Sequence, residues 1–305
     1  MSAEHIPVLA DAVLDGLLPA GKSVQRAVDG TLGAGGHTRL LIEAGVAHVL
    51  GLDVDPMALQ IARKNLQAFG DRVTVAHASY ADMIEAATEL DWDTVDAILL
   101  DLGISSMQID TPERGFAFMH QGPLDMRFDA DSDGLTAADI VNHWDASAMA
   151  DVFYKYGEER HSRRIARAII AQRPFTTTDE LAAVVKGAVP KGKQTIHPAT
   201  RVFQALRIAV NDELRTVEDA LPRAIRLLKP GGRLGVISFH SLEDRIVKQT
   251  FKEAATEIVS PPGMVLEEKV AQVRLINRKP ITAEPAEIEH NPRSRSAKLR
   301  VVEKL

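Results

Sequence analysis

The sequence predicts an α/β fold in which a parallel β-sheet is interrupted by a mostly helical insertion. Over the first hundred residues, short apolar segments alternate with helical segments, which is typical of βαβ units. This alternation breaks after residue 104, helical segments follow, and strand character returns after residue 232. We therefore expect a sheet domain formed by residues 1–111 and 217–305, with an inserted domain at 112–216.

The elements of the first part are predicted from apolar runs that are separated by glycine-rich and polar turns. Pro56 suits the first position of a helix, because its missing N–H would be unpaired there in any case. The run from residue 95 to Asp101 is continuously apolar apart from Asp96, which is typical of a strand buried on both faces. Strands are expected at 24–29, 47–53, 73–77 and 95–101, and helices at 38–44, 56–69 and 80–90.

The elements of the second part are predicted in the same way. Apolar residues at 202, 205, 206, 209 and 210 repeat with the helical period. A helix at 214–228 is expected to end at the Lys-Pro-Gly-Gly segment 229–232, which is a stop signal. A buried strand is expected at 233–239, and segments 273–276 and 298–302 are expected to form a final antiparallel pair.

The composition excludes several kinds of chemistry. The 305 residues include no cysteine, which removes disulfides, thiolate zinc sites and cysteine nucleophiles. No apolar run approaches the roughly 18 residues of a membrane helix, and the N-terminus lacks the layout of a signal peptide. We therefore expect a cytoplasmic protein without a membrane partner.

Charge is distributed unevenly along the chain. The net charge is −6, yet residues 155–207 contain 11 Lys and Arg against 4 Asp and Glu. Such a basic module on an acidic body indicates an anionic partner. Arg160, Arg163, Arg164 and Arg167 have the spacing of one helical face. That face is either solvated and partly paired with Glu158 and Glu159, or it binds phosphates, and the sequence leaves both interpretations open.

A cofactor site is predicted from three features in order. A glycine-rich segment at 29–37 lies between a strand and a helix, Asp53 ends the next strand, and Asp101 ends the fourth. Glycines let a ligand approach the backbone, and a strand-end carboxylate can accept ribose hydroxyls. The alternative is that these residues only form turns and caps. Thr38 stands where a pyrophosphate-binding loop has its third glycine, which favours S-adenosylmethionine over NAD.

One acidic segment resembles a calcium loop without completing it. Residues 129–134 copy the start of such a loop, but its twelfth position is Ile140 where a bidentate Glu is needed. We predict that Thr136 and Asp139 form a helix capping box instead.

Eight further segments carry a family resemblance that covers nearly the whole chain. Together they closely resemble the bacterial 16S ribosomal RNA cytosine-N4 methyltransferase family. The segments are DLGISSMQ (101–108), ERGFAF (113–118), GPLDMR (122–127), YGEER (156–160), HPATR (197–201), FQALR (203–207), SFHSLEDR (238–245) and NPRSRS (291–296).

The resemblance implies a Rossmann-like, S-adenosylmethionine-dependent methyltransferase sheet with a helical, substrate-recognising insertion. The implied substrate is a cytidine in the decoding region of 16S ribosomal RNA, within the small ribosomal subunit. The oligomeric state is not fixed, and a homodimer is left open. By motif position the resemblance implies these cofactor contacts: Gly35, Gly36, His37, Asp53, Tyr80, Asp101 and Gln108.

The implied chemistry needs groups that accept hydrogen bonds from the N4 amine as it attacks the methyl group. Asp101, Asp125, His240 and Asp244 are the candidates, and Asp125 and His240 are the predicted catalytic residues. Alternatively, Asp125 pairs with Arg127, and Asp244 pairs with Arg245 or caps a helix. No metal is required. Two other functions stay open from the sequence, namely an NAD-linked oxidoreductase and a non-catalytic RNA-binding or assembly factor.

Overall fold

The computed structural model describes residues 7–190, 196–258 and 269–305. Its chain divides into two compact units, one formed by Met1–Gly103 with Leu214–Leu305 and the other by Ile104–Glu213. The described α-helices are α1 (Ala10–Leu17), α2 (Gly36–Glu43), α3 (Pro56–Leu66), α4 (Met83–Thr88), α5 (Ser106–Asp110), α6 (Ala137–His143), α7 (Ala146–Lys155), α8 (Ser162–Ile170), α9 (Thr178–Ala188), α10 (Ala199–Asn211), α11 (Glu213–Leu227), α12 (Ser241–Ala254) and α13 (Pro285–His290).

The first unit contains one sheet, with the order β3-β2-β1-β4-β5-β8-β6 and β7 paired to β8. Strands β1 to β5 are parallel, and β8 runs antiparallel to β5, β6 and β7. The predicted fold class and the predicted antiparallel pair are confirmed. The strands are β1 (Arg26–Asp29), β2 (His48–Asp53), β3 (Val73–His77), β4 (Val95–Asp101), β5 (Leu228–Ser238), β6 (Val273–Leu275), β7 (Ile281–Thr282) and β8 (Lys298–Lys304).

The continuous apolar run of β4 is explained by helices on both faces of the sheet. Ile98 and Leu100 lie in a core cluster that includes residues of α11 and α12. Ala97 and Leu99 lie in a second cluster with residues of α1 and α2. Successive side chains of a strand point to opposite faces, so a covered sheet needs apolar residues at every position.

Several predicted boundaries differ from the structure by a few residues. The helix expected at 56–69 ends at Leu66, and a 3₁₀ segment with Gly70 at φ 54° follows. The helix expected at 80–90 begins as a 3₁₀ turn at Tyr80–Asp82 before α4. Helix α11 ends beside the predicted stop signal, but β5 starts already at Leu228, and its pairing with β4 is irregular between Val95 and Ala97.

The second unit is built from α5 to α10 around its own core. Phe153, Ile165, Ile169 and Leu206 are all fully buried in that core. The unit begins at Ile104 and ends at Glu213, whereas the sequence placed the insertion at 112–216. The predicted helix around residues 202–210 is present as α10. That this unit recognises the substrate stays a prediction.

Two local predictions in the second unit can be compared with the structure. Thr136 and Asp139 form the predicted capping box at the start of α6. The predicted helical face of four arginines is partly wrong, because α8 begins at Ser162 and Arg160 precedes it. Arg163, Arg164 and Arg167 do lie on α8 and are exposed. Every helix among the described residues is too short or too polar to cross a lipid bilayer.

Candidate active site

Three aspartates end neighbouring strands at the carboxyl edge of the parallel sheet. Asp29 ends β1, Asp53 ends β2 and Asp101 ends β4. Strand β1 lies between β2 and β4, and Asp29 stands beside Gly51 of β2 and Leu99 of β4. The strand order reverses between β1 and β4, which is where open α/β sheets bind ligands. The predicted cofactor residues Asp53 and Asp101 therefore flank the expected ligand crevice.

All three carboxylates lie in surroundings that favour the neutral acid. Burial raises the pKa of Asp53 to about 6 and the pKa of Asp101 to about 6. Burial also raises the pKa of Asp29. At Asp101 the positive charge of His37 opposes the rise, while the negative charges of Asp29 and Glu243 add to it. Perturbed acids gathered at one sheet edge are typical of a functional site.

The glycine-rich segment is tied to the sheet by backbone hydrogen bonds. The Gly30 N–H donates to the Leu99 carbonyl, and the Leu32 N–H donates to the Leu52 carbonyl. Gly35 adopts φ 87°, and a Cβ at this position would lie 2.7 Å from Leu66 Cδ1. Only glycine fits there without strain. Gly36 then begins α2, and the N–H groups of a first helical turn, which lack intrahelical partners, favour a ligand at this edge.

Asp53 forms a hydrogen bond with the glycine-rich segment and lies where the ribose is predicted to bind. Its Oδ2 accepts a hydrogen bond of 2.8 Å from the Gly33 N–H, and its Oδ1 accepts one of 2.9 Å from the Asp55 N–H. A carboxylate has about four acceptor sites. Each oxygen of Asp53 can therefore still accept a hydroxyl.

Asp29 is a positioning residue that the sequence analysis did not single out. Its Oδ2 accepts a hydrogen bond of 2.7 Å from the Thr38 hydroxyl, and its Oδ1 accepts one of 3.2 Å from the Thr31 N–H. Asp29 and Thr38 are both fully buried. The bond joins the end of β1 to the first turn of α2, so it fixes the loop between them. The signal for it was present in the sequence, since Asp29 ends a strand as Asp53 and Asp101 do.

His37 and Asp101 face each other beside the loop. His37 Nε2 lies 2.9 Å from the Val8 carbonyl oxygen and therefore carries a proton. Its Nδ1 lies 3.6 Å from Asp101 Oδ2. The Asp101 N–H donates to the Thr31 hydroxyl oxygen over 2.6 Å. Asp101 Oδ1 is buried and has no hydrogen-bond partner among the described residues. A buried acceptor without a partner is costly, which indicates that a ligand donor pairs with it.

Tyr80 lies at the same edge. It begins the 3₁₀ turn that follows β3, and it is partly buried against the core cluster of α11 and α12. A Cβ on Gly30 would lie 2.9 Å from Tyr80 Cβ, so the tyrosine adjoins the glycine-rich segment. This position is compatible with the predicted cofactor contact of Tyr80.

Gln108, the remaining predicted cofactor contact, lies in the second unit. It is the third residue of α5, and its Oε1 accepts a hydrogen bond of 3.0 Å from the Ser105 N–H. The Gln108 N–H donates in return to the Ser105 hydroxyl oxygen over 3.3 Å. The side-chain carbonyl is therefore used to cap the helix.

Asp125, a predicted catalytic residue, forms the alternative ion pair with Arg127. Its Oδ1 and Oδ2 accept from Arg127 Nε and Nη2 over 2.9 and 2.7 Å. Burial would raise the pKa of Asp125, but the hydrogen bonds and charge of Arg127 outweigh it, and the pKa is lowered. Between these two residues, Met126 is buried with φ 64°, a conformation that is unfavourable for a side chain of this size. Asn211 donates to the Met126 carbonyl and holds the turn in this conformation.

His240, the other predicted catalytic residue, caps the N-terminus of α12. Its Nδ1 accepts a hydrogen bond of 3.4 Å from the Glu243 N–H, so the proton of the neutral ring is on Nε2. Nε2 is buried and lies 3.1 Å from Glu243 Oε1, but no well-aligned hydrogen bond joins them. Glu243, which sequence reasoning missed, is buried and accepts from the Phe239 and His240 N–H groups. Its place three residues after a cap was the available signal.

Asp244 has partners that differ from both sequence expectations. Its Oδ1 accepts a hydrogen bond of 2.7 Å from Arg300 Nε, and its Oδ2 lies 3.4 Å from Lys298 Nζ. Burial would raise the pKa of Asp244, but these two cations on β8 outweigh it and lower the pKa. Asp244 therefore anchors α12 to β8.

The whole chain is similar to known proteins. A ribosomal RNA small subunit methyltransferase H of Citrifermentans bemidjiense is 49% identical over 310 residues, covering 99% of this chain and 98% of that protein. The protein of the same name from Magnetococcus marinus is 49% identical over 315 residues and covers 100% of both chains. Among solved structures, an rRNA methylase from Streptococcus thermophilus is 11% identical, covers 97% of this chain and 93% of its own, and has a TM-score of 0.43.

The family match extends over almost the entire sequence. Residues 2–305 match the MraW methylase family. The resemblance predicted from the eight motif segments is thereby confirmed, and an NAD-linked oxidoreductase is ruled out. The chain belongs to the MraW methylase family.

Proposed function

We propose that this protein transfers the methyl group of S-adenosylmethionine to the N4 atom of a cytidine in the decoding region of 16S ribosomal RNA. The family membership and the names of the 49% identical relatives support a methyl transfer to small-subunit RNA. The observation that supports S-adenosylmethionine as the cofactor is the buried Oδ1 of Asp101, which lies beside the glycine-rich segment and has no hydrogen-bond partner in the described part of the chain.

The residues at the sheet edge fit the cofactor. When bound, S-adenosylmethionine supplies an electrophilic methyl group on its sulfonium. The backbone of Gly35, Gly36 and His37 would face its amino-acid part. Asp53 would accept the ribose hydroxyls, Tyr80 would contact the adenine, and Gln108 would contribute its side-chain amide. Asp101 Oδ1 would accept from the cofactor ammonium.

The N4 amine must be held in line with the methyl group, because its lone pair is delocalised into the ring. Asp125 remains the proposed acceptor for the amine hydrogens. Its Oδ1 accepts from both the backbone N–H and the Nε of Arg127, while its Oδ2 accepts from Arg127 Nη2 and retains a further acceptor site. The lowered pKa keeps this carboxylate ionised at neutral pH, which suits acceptance of a hydrogen bond from a developing cation.

His240 remains the second proposed catalytic residue. Its tautomer decides whether it donates or accepts a hydrogen bond. Because Nδ1 accepts from the Glu243 N–H, Nε2 carries the proton and acts as a donor. Cytosine has two acceptors, O2 and N3, on the ring beside the amine. A donor at His240 would therefore orient the ring rather than accept from N4.

The absence of cysteine supports an exocyclic nitrogen over ring carbon 5 as the target. Carbon 5 becomes nucleophilic only after a thiolate adds to carbon 6, and the chain contains no cysteine. We further propose that the substrate is the RNA within the small ribosomal subunit, and that the protein acts in the cytoplasm. Analytical ultracentrifugation of the purified protein distinguishes a homodimer from a monomer.

The direct test incubates unmethylated small subunits with the protein and labelled S-adenosylmethionine, then identifies the modified nucleoside by mass spectrometry. We expect N4-methylcytidine. Recovery of 5-methylcytidine would overturn the argument from cysteine, and a methylated adenosine would overturn the target base. Absence of transfer by a protein that binds the cofactor and RNA would favour the non-catalytic RNA-binding factor.

A further inference from the structure

The second unit presents one strongly basic surface, centred on α8. Residues 160–178 include five arginines and no Asp or Glu. Arg173 is set apart from the other four, because its guanidinium donates to the carbonyls of Val141 and Trp144. It has a structural role beside the end of α6.

The arginines of α8 lie on its solvent-exposed side, because the other side of the helix is buried. Ser162, Ile165, Ala166 and Ile169 are buried, and α8 packs between α7 and α9. The opposite side of the helix carries exposed arginines that no ion pair among the described residues neutralises. These residues are Arg163, Arg164 and Arg167.

The two glutamates that were expected to pair with this face, Glu158 and Glu159, form no ion pair with the arginines of α8 among the described residues. Glu159 is buried, and its Oε1 accepts a hydrogen bond of 2.8 Å from the His161 N–H. Glu180 accepts from the backbone of Thr176 and Thr177 at the start of α9. Arg167 Nε donates to the Arg163 carbonyl, which leaves its terminal N–H groups for a ligand.

A groove adjoins the arginines. It has a volume of about 510 Å³ and runs between α8 and α9. One wall carries Arg164 and Gln172, and the other is made of small side chains and Gly187. A Cβ on Gly187 would meet nothing within 4 Å, so the groove is open at this point.

We propose that this α8–α9 face binds the phosphodiester backbone of a single-stranded stretch of the ribosomal RNA, with phosphates on Arg163, Arg164 and Arg167 and the strand seated in the groove. The inference rests on the proposed function, which supplies an RNA partner. Uncompensated guanidinium groups on a rigid helix match phosphate charge and geometry. A groove walled by small side chains lets a strand approach the helices closely.

The first test measures binding of in vitro transcribed 16S RNA over a series of salt concentrations. The triple variant R163Q/R164Q/R167Q is compared with a control, R63Q/K64Q/K248Q, which removes the same charge from exposed positions of the first unit. We expect the log–log salt slope of the α8 variant to fall by about 2, because each single-strand phosphate that an arginine neutralises accounts for roughly 0.7 of the slope. Equal slopes for the α8 variant and wild type would overturn the proposal.

The second test fills the groove without changing charge. Gly187→Leu adds a side chain where there is space, and it replaces a residue with poor helix propensity. Ser147→Leu adds the same side chain at an exposed position of α7 and is the matched control. We expect several-fold weaker RNA binding for Gly187→Leu alone, with an unchanged or raised melting temperature. Equal RNA binding by the Gly187→Leu and Ser147→Leu variants would overturn the proposal that the strand lies in the groove.

Competition with double-stranded RNA of the same sequence tests the single-stranded preference. We expect the single strand to compete better, and equal competition would overturn that part of the proposal. Failure of the proposed function is separable from all of these results. A wild-type protein that binds RNA through α8 but transfers no methyl group would contradict the methylation and leave the α8 contact standing.

Discussion

The imidazole of His37 and the carboxylate of Asp101 lie 3.6 Å apart, measured from Nδ1 to Oδ2. His37 Nε2 is committed to the Val8 carbonyl, so Nδ1 faces Asp101 without a proton of its own unless the ring is charged. At this distance the two groups interact electrostatically, and a positive charge on the imidazole opposes the rise that burial causes in the pKa of Asp101. The second oxygen of Asp101 is buried without a partner among the described residues, which leaves it for a ligand.

Cofactor affinity should therefore depend on pH. A ribose hydroxyl or an ammonium donates best to an ionised carboxylate, and Asp53 and Asp101 each have a pKa raised to about 6. Below that pH the acids are neutral, and binding must displace their protons. We expect S-adenosylmethionine to bind more weakly at pH 5 than at pH 7, by about tenfold for each carboxylate that must ionise. Isothermal titration across this range measures the effect, and a flat profile would contradict it.

Asp53→Ala should weaken cofactor binding without unfolding the protein. The change removes the acceptor for the ribose and the acceptor for the Gly33 N–H, which shapes the loop. The loss of hydrogen bonds to a charged group corresponds to roughly 1.5–3 kcal/mol, or about ten- to a hundredfold in affinity. Asp71→Ala, at an exposed position of the same unit, is the control. Unchanged affinity in a folded Asp53→Ala variant would remove Asp53 from the site.

Thr38→Val should uncouple the glycine-rich segment from Asp29. The substitution keeps the shape but removes the hydroxyl that donates to Asp29 Oδ2, leaving a fully buried carboxylate short of one partner. We expect about 1–3 kcal/mol lower stability in denaturant unfolding, together with weaker cofactor binding. Thr38→Ser restores the hydroxyl and should recover the affinity. If serine does not restore binding, the hydroxyl does not position the loop.

Asp125→Asn should lower the rate of methyl transfer and leave cofactor affinity unchanged. The amide weakens both the acceptance from the N4 amine and the ion pair with Arg127. We expect kcat to fall by roughly a hundredfold, the lower range for loss of a catalytic acid or base group. Arg127→Gln, which breaks the same ion pair but keeps the carboxylate, separates the two effects. Equal losses in both variants would mean that the ion pair matters and that the carboxylate does not act on substrate.

The positions of the cofactor candidates were predictable because each depends on local sequence. Asp53 and Asp101 end apolar runs, and strand ends in a parallel sheet share one edge. The glycine-rich segment was recognisable between a strand and a helix. Asp29 was missed although it carries the same signal, since its role appears only when Thr38 is seen to donate to it.

The catalytic candidates were less predictable, because their properties depend on distant residues. Asp244 is paired with Arg300, which is 56 positions away along the chain, rather than with its neighbour Arg245. Asp125 follows the local alternative, a pair with Arg127, but Asn211 holds that turn from 85 positions away. The tautomer of His240 follows from its capping contact with Glu243.

The sequence by itself determined the α/β class, the antiparallel final strands, the strand-end carboxylates and the family, because apolar period, turn residues and motif order are properties of short segments. Tertiary structure alone decided which carboxylates are neutralised by cations and which are left unpaired. Burial and the approach of residues remote in sequence set the pKa of Asp101 and leave one of its oxygens without a donor among the described residues. The pKa of Asp101 and the hydrogen bonds to its oxygens depend on packing in three dimensions, so they cannot be read from a short segment of sequence.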